Sequence, residues 1–264
     1  MEQKSEEWLD WRKKGIGSSD APIIMGVSPW KTPFELWEEK TGRVQPEQTS
    51  NWAQERGNEL EPVARAKFEI EYDMEMSPAL CQHEEYPQLR ASMDGWNPKY
   101  KVGLEIKFLG ANDFKLAKEQ GVIPEKYFPQ IQHQFLVTGA EKIYFYGYYV
   151  DKGAENHNGI SVCVPVLPDH EYIKKLAIEE LGFFRRMQEN IPPPFVEKDF
   201  KLLRVAGAKA LADEYVEIMK TYEEKLKECK QKLFTMAGEM QRFRIGRLRS
   251  ETLKNGSRNL VIYE

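Results

Sequence analysis

Asp94, Glu105 and Lys107 lie in the stretch SMDGWNPKYKVGLEIKFLG, residues 92–110, among apolar and strand-forming residues. Charges in such a setting cost free energy unless they are paired or bind a metal. Side chains alternate across a strand, so Glu105 and Lys107 share one face, while Leu104, Ile106 and Phe108 point the other way, into a core. An ExK pair alone also fits an exposed face with a weak ion pair. Three neighbours favour chemistry. Asp94 falls at the expected end of the preceding strand, before Gly95, where a hairpin returns the chain past Glu105. Glu61 lies in the helical segment ERGNELEPVARAKF, on or near its Leu60, Ala64 and Phe68 side. Lys107 sets a cation beside the two strand carboxylates. Converging Asp and Glu oxygens suit a hard divalent cation such as Mg²⁺. A bound ion orients an attacking water, lowers its pKa and neutralises a scissile phosphate, and a second ion assists the leaving oxygen. An ammonium nearby stabilises the reacting phosphate.

The elements that must position these groups are legible in outline. SSDAPIIMG reads as a short helix, with Ser18, Ser19 or Asp20 as its cap and Pro22 in its first turn. SPWKTPFELWEEKTGR supplies a second helix. NWAQERGNELEPVARAKFEIEY supplies a third, with Leu60, Ala64 and Phe68 on a helical period. Residues 80–94, 101–109, 142–150 and 160–167 read as strands rich in Val, Ile, Tyr and Phe. A helical stretch, EKYFPQIQHQFLVTGA, separates the second strand from the third, and HEYIKKLAIEELGFFRRMQEN is an amphipathic helix. The fold class expected is α/β or α+β, a central mixed sheet flanked by helices. IPPPF at 191–195 is a breaker, which sets the domains at 1–195 and 196–264. In the second, Leu211, Tyr215, Ile218, Tyr222, Leu226, Cys229, Leu233 and Met236 form an apolar stripe on a long helix. It packs along the core or against another helix. The chain then runs into a basic hairpin with NGS as its turn.

Four ordered motifs in this chain resemble the lambda-exonuclease/YqaJ-type viral recombinase branch of the PD-(D/E)xK nucleases. SMDG…GLEIK is similar to the D-(x)n-ExK signature, WLDWRKKGIGSSDAPIIMG to the N-terminal W-x3-R-x2-GIG motif, ERGNELEPVARAKFE to the G-x3-E-P-x-A helix, and YFPQIQHQFLVTG to the Y-x2-Q-x-Q helix. The match spans roughly residues 5–190. Met93 stands where the founding signature has Pro, a change that touches no ligand. The resemblance implies that Asp94 and Glu105 are metal ligands, Lys107 the catalytic lysine and Glu61 a helix carboxylate assisting a metal or its waters. Gln130 would support the site, with Tyr127 one turn away. Arg12 and Ser19 would bind a 5′-terminal phosphate, and Ser92 would contribute to that pocket. A guanidinium grips phosphate as a fork, and a hydroxyl at a helix N-terminus adds a donor where the dipole favours anions. The expected reaction is digestion of one strand of linear double-stranded DNA from a 5′ end, leaving a 3′ single-stranded tail for recombination. It would use two Mg²⁺ ions, with Mn²⁺ as a substitute. The resemblance further implies a phage or prophage source, a homotrimeric ring threading DNA ends and a single-strand annealing protein as partner. An endonuclease of the same fold, restriction or junction-resolving, is the first alternative, and a catalytically silent DNA-end binder the second.

Whole-chain properties are compatible with this. The 264 residues are 41% hydrophobic and 30% charged, and no run approaches the roughly 20 apolar residues of a membrane helix. The segment MEQKSEEWLDWRKK has no apolar stretch of the kind a signal peptide needs, and three scattered cysteines without a CxxC argue against a disulfide framework, a zinc site or an iron–sulfur cluster. The expected compartment is the cytoplasm. Net charge is −4, yet residues 241–264 carry six basic side chains against two acidic ones, a local patch that DNA or an acidic partner would feel. His83, His133, His157 and His170 form no HxxxH or HExxH pattern, and GIGSS lacks the lysine of a P-loop. His133 reads as a core or lining residue. Asp20 reads as a cap, and the tyrosine run at 144–150 as a buried strand.

Overall fold

VGLEIKF becomes the central strand β4 (Val102–Phe108), whose residues are buried on both faces as far as Ile106. The structure is a computed structural model describing residues 5–44, 52–150, 159–200, 205–238, 244–245, 248–252 and 258–262. It divides into two units, residues 1–200 and 201–264.

In the first unit β4 pairs in parallel with β5 (Lys142–Tyr149) and antiparallel with β3 (Leu89–Asn97). β6 (Ile160–Val166) runs antiparallel to β5. β1 (Ile16–Gly17) is parallel, and β2 (Ser77–Gln82) antiparallel, to β3. The result is the expected mixed sheet. A parallel β4–β5 pair needs a crossover, which α5 (Ala111–Gln120) and α6 (Phe128–Thr138) provide, each ended by a left-handed glycine, Gly121 and Gly139. One face of the sheet is covered by α4 (Trp52–Tyr72). Its Leu60, Ala64 and Phe68 pack on Leu104, Ile106, Tyr146 and Tyr148. The other face takes α6 and α7 (His170–Glu189), which bring Ile131, Phe135 and Phe183 against Ala91, Met93, Ile143 and Phe145. Ahead of these lie α1 (Glu6–Lys13), the one-turn α2 (Ala21–Ile24) and α3 (Pro33–Lys40), the last held by a Thr32/Glu35 capping box. Beyond the proline breaker, Phe195 packs on Phe34 and Thr32 donates to Asp199 at 2.5 Å, so residues up to 200 stay with this unit.

Two local expectations change. The strand expected over 80–94 is two strands joined by a turn at 83–88. There His83 Nδ1 accepts the backbone N–H groups of Glu85 and Tyr86, and Pro87 follows. Asp94 is not at a strand end either. It is the sixth residue of β3, at an irregularity where Ser77 pairs Trp96 but Ala79 pairs Met93. Two residues of β2 thus span three of β3, the signature of a β-bulge. Gly95 marks the bulge rather than a turn, because a Cβ there would press to 2.8 Å from Met76 Cβ and 3.0 Å from Leu104 Cβ.

The second unit contains α8 (Ala208–Ala237), none of whose residues is buried, and a small antiparallel sheet of β7 (Arg244–Ile245), β8 (Leu248–Thr252) and β9 (Arg258–Ile262). The expected hairpin is thus joined by a third strand. Its NGS turn, at 255–257, lies outside the described residues.

Candidate active site

The β3 bulge determines where Asp94 points. The β3–β4 ladder is registered from Gly95 against Leu104 onward, and at Asp94 the side chain takes over: Oδ2 accepts the Ile106 backbone N–H at 2.7 Å. This fastens the carboxylate across to β4, beside Glu105. Glu105 is 1% exposed and points away from the Leu104/Ile106 face, toward α6. There Gln130 Nε2 donates to Oε1 at 2.5 Å, Gln134 Nε2 donates to Oε2, and the Lys107 ammonium closes on Oε1. Glu61 faces the same cleft from α4, and Arg65 reaches from one turn further on, 3.4 Å from Glu61 and donating to the Asp94 carbonyl at 2.8 Å.

The electrostatics are unbalanced in one direction. Burial, then repulsion from Glu105 and Glu61, drives the Asp94 carboxyl well above the usual carboxylate range, more than Lys107 and the Ile106 N–H offset. Burial pulls the Lys107 ammonium down, but Glu105 and Asp94 outweigh it and hold the group above its ordinary range. Such crowding of carboxylates is what a hard divalent cation relieves, and Mg²⁺ needs only one or two protein carboxylates, keeping water and substrate phosphate for its other positions. Asp94 and Glu105 fit that need. Among the described residues no trio of His, Cys, Asp or Glu is gathered closely enough to hold an ion by itself. Glu61 stands apart, drawn toward Arg65.

The residues expected to hold a terminal phosphate gather at the other end of the same cleft. Arg12, in the last turn of α1, donates from Nη2 to Ser19 Oγ at 2.6 Å and lies 4.6 Å over the Trp8 ring. Trp8 Nε1 in turn donates to Ser92 Oγ on β3 at 3.0 Å. Trp8 therefore ties α1 to β3 and brings Arg12, Ser19 and Ser92 to one place. A cleft of about 460 Å³ is lined by Arg12, Ser19 and Ser92 together with Glu61, Asp94, Glu105, Lys107 and Gln130. Two expectations about this end fail. Asp20 does not cap α2. Its Oδ2 accepts the Gly17 N–H at 2.8 Å and pairs with Lys40 at 2.6 Å, a buried bridge that shapes the loop carrying Ser19. Ser19 is an exposed turn residue, and α2, only four residues long, has too few aligned peptides for its dipole to matter.

Tyr127 is the residue the structure does not bring into the cleft. It ends a 3₁₀ turn (Glu125–Tyr127) ahead of α6, with its ring 5.7 Å from Lys107 Nζ. It can steady the ammonium but does not line the cavity. Sequence reasoning missed Gln134, Arg90, Trp8 as a link, and Arg65. Gln134 follows Gln130 by one helical turn, so the pair shares a face. Arg90, Ser92 and Asp94 alternate along β3 ahead of the bulge, and Arg90 lines the cleft with its guanidinium 5.0 Å from the Trp11 ring. His133 is a core residue, as expected. Fully buried, it bridges Glu180 at 2.7 Å and the Arg90 carbonyl at 2.9 Å.

With this geometry in place, likeness to known proteins is informative. The YqaJ-like viral recombinase domain matches residues 7–141, more than half of the chain. The chain belongs to that family. YqaJ of Bacillus subtilis (strain 168) is 40% identical over 148 residues, which are 54% of this chain and 46% of that protein. A protein of Acanthamoeba polyphaga mimivirus is 25% identical over 181 residues, 64% of this chain and 33% of its own length. The chain thus spans less than half the length of the curated relatives it matches. Among solved structures, the alkaline exonuclease LHK-Exo from Laribacter hongkongensis superposes with a TM-score of 0.60 at 25% identity, covering 71% of this chain and 94% of that one. This YqaJ-like domain therefore carries the fold of the PD-(D/E)xK exonucleases. No described helix is long and apolar enough to cross a membrane.

Proposed function

We propose that this protein is a divalent-metal-dependent exodeoxyribonuclease that grips the 5′ end of linear duplex DNA and hydrolyses that strand, leaving a 3′ single-stranded tail for recombination. One observation carries the reading: the carboxylate–lysine cluster and the Arg12–Ser19–Ser92 group share a single cleft. An endonuclease has no use for a terminal-phosphate grip, and a silent end binder gains nothing from a buried, mutually repelling Asp94/Glu105 pair. The alkaline exonuclease LHK-Exo has been crystallised with dAMP. A deoxynucleotide of that kind is what stepwise digestion of a strand would release.

Asp94 and Glu105 would hold Mg²⁺, or Mn²⁺ in its place, with Glu61 swinging from Arg65 to assist a second ion when DNA arrives. When bound, the metal supplies an activated water and neutralises charge on the phosphate. The chain's own groups do the rest. Gln130 and Gln134 hold both oxygens of Glu105, so the carboxylate cannot rotate away. Lys107 presents a permanent ammonium beside the reacting phosphate. Arg12 offers a planar fork to the terminal phosphate, preset by the Trp8 ring. By family resemblance the working form would be a trimeric ring in the cytoplasm of a phage-bearing bacterium, acting with a single-strand annealing protein.

The test is direct. With Mg²⁺, linear duplex bearing 5′-phosphates should be degraded, 5′-hydroxyl ends more slowly, and covalently closed circles not at all. A chelator should stop the reaction. Asp94→Ala and Glu105→Ala should abolish hydrolysis while DNA binding persists, and Lys107→Ala should reduce turnover strongly. Equal rates on circles and linear DNA would replace this reading with the endonuclease one.

A further inference from the structure

α8 has an apolar stripe that its own unit leaves open: Leu211, Tyr215, Ile218 and Tyr222 are 68, 64, 60 and 59% exposed, and Leu226 and Met236 are 53 and 85% exposed. Thirty residues of helix span about 45 Å. An apolar strip of that length is not left in water without a partner. Two properties of the sequence say which partner fits.

The first is symmetry. About a point beside Glu224 the stripe repeats when read backwards. Leu211 then matches Met236, Tyr215 matches Leu233, Ile218 matches Cys229, and Tyr222 matches Leu226. A second copy of α8 laid antiparallel, related by a two-fold axis through that point, meets apolar residues with apolar residues along the whole length. The second is charge. Residues 208–224 carry a net −3 and residues 225–237 a net +3. An antiparallel neighbour sets each acidic half on a basic half, with Glu214, beside Tyr215 on the flank of the stripe, opposite Lys232 of the other copy, beside its Leu233. A parallel neighbour sets like on like, which costs free energy. Lys230 is tied to Asn259 of β9 at 2.6 Å, so the small sheet steadies the basic half of the helix.

We infer that α8 is a self-association element that pairs with a second copy of this chain in antiparallel, two-fold register centred beside Glu224. Such a contact is isologous and closes on itself. Added to a three-fold ring, it joins two rings into six copies; without a ring it gives dimers. Either way the number of copies is even.

The test uses the full chain. Sedimentation equilibrium at micromolar concentration should give an even number of copies. Cys229, exposed on the stripe, reports the register under mild oxidation. In antiparallel pairing it faces Ile218, so the unsubstituted chain forms no Cys229–Cys229 link. Ile218→Cys should convert most of the protein to a covalent dimer on a non-reducing gel, and adding Cys229→Ser should abolish that dimer. Circular dichroism of each variant confirms that α8 is intact. A mass of one or three copies overturns the inference, since the stripe is then covered by the chain's own core or by a different protein. A Cys229–Cys229 dimer in the unsubstituted chain overturns the antiparallel register, as does an Ile218→Cys chain that stays uncross-linked.

Discussion

Lys40→Met should be the most informative single change outside the Asp94–Glu105–Lys107 cluster. The Lys40 ammonium lies 2.6 Å from Asp20 and donates to the carbonyls of Arg12 at 3.0 Å and Gly15 at 2.9 Å, so all three of its hydrogens are used. Both side chains are under 10% exposed, at 9 and 7%. Methionine keeps the apolar stem and deletes the charge, leaving the Asp20 carboxylate buried without its cation. Removing one partner of a buried pair costs about 3–5 kcal/mol. For a unit of 200 residues that corresponds to a fall in Tm of roughly 6–20 °C. The sign with pH follows from Asp20. Burial pushes its carboxyl up, but Lys40 and Arg12 outweigh burial and hold it below the ordinary value of 3.8. A depressed group contributes stability fully above its unfolded pKa and loses it as pH falls through the folded one. Without Lys40 the same burial pushes the Asp20 carboxyl up, so the gap between the parent protein and Lys40→Met should be greatest toward neutral pH, begin to narrow as the unpaired carboxyl of the variant takes up a proton, and go on narrowing in acid until the paired one does. Urea melts at pH 7 and at pH 3 measure both. Asp20→Asn added to Lys40→Met should cost much less than the sum of the single changes. A loss under about 1 kcal/mol at pH 7, or additive single effects, would show that the bridge does not hold this loop.

Two further outcomes follow from the same cleft. Gln134→Leu frees one oxygen of Glu105 without touching the expected ligands; it should lower kcat about tenfold or more, leave 5′-phosphate preference intact, and is checked by steady-state rates on phosphorylated and hydroxyl ends. Truncation after Phe200 removes only the second unit, so Mg²⁺-dependent cleavage of short duplexes at low salt should survive while DNA binding, assembly or partner association weakens. A truncated chain that folds but cannot cleave would place part of the active site in residues 201–264.

The parts of this protein that sequence displays well are those governed by short periods. Glu105 and Lys107 share a face because a strand alternates, Leu60, Ala64 and Phe68 because a helix turns every 3.6 residues, and both patterns survive in the structure. What sequence hides is whatever a local break or a distant partner decides. Gly95 suits a turn as well as a bulge; only the packing of Met76 and Leu104 against its bare Cα selects the bulge, and with it the aim of Asp94. Asp20 looks like a helix cap, since its type and position are those of one, and it is claimed instead by Lys40, twenty residues away in sequence. His83 has no metal pattern, and its ring turns out to hold the tight turn between β2 and β3.

The same contrast explains how the site is assembled. Arg12, Ser19 and Ser92 come from α1, a loop and β3, and no period relates them. They meet because Trp8, one helical turn before Arg12, reaches across to Ser92 while its ring seats the guanidinium. On the carboxylate side the β3 bulge turns Asp94 toward β4, and α6 brings two glutamines one turn apart onto a single carboxylate. Asp94 and Ser92 are two residues apart on β3, one bound to each half of the cleft. A two-residue step of backbone inside a packed sheet transmits position rigidly. On the proposed reading, the distance from a gripped 5′ end to the bond to be cut would be set by β3 itself, and removal of DNA one small step at a time would follow from that fixed spacing.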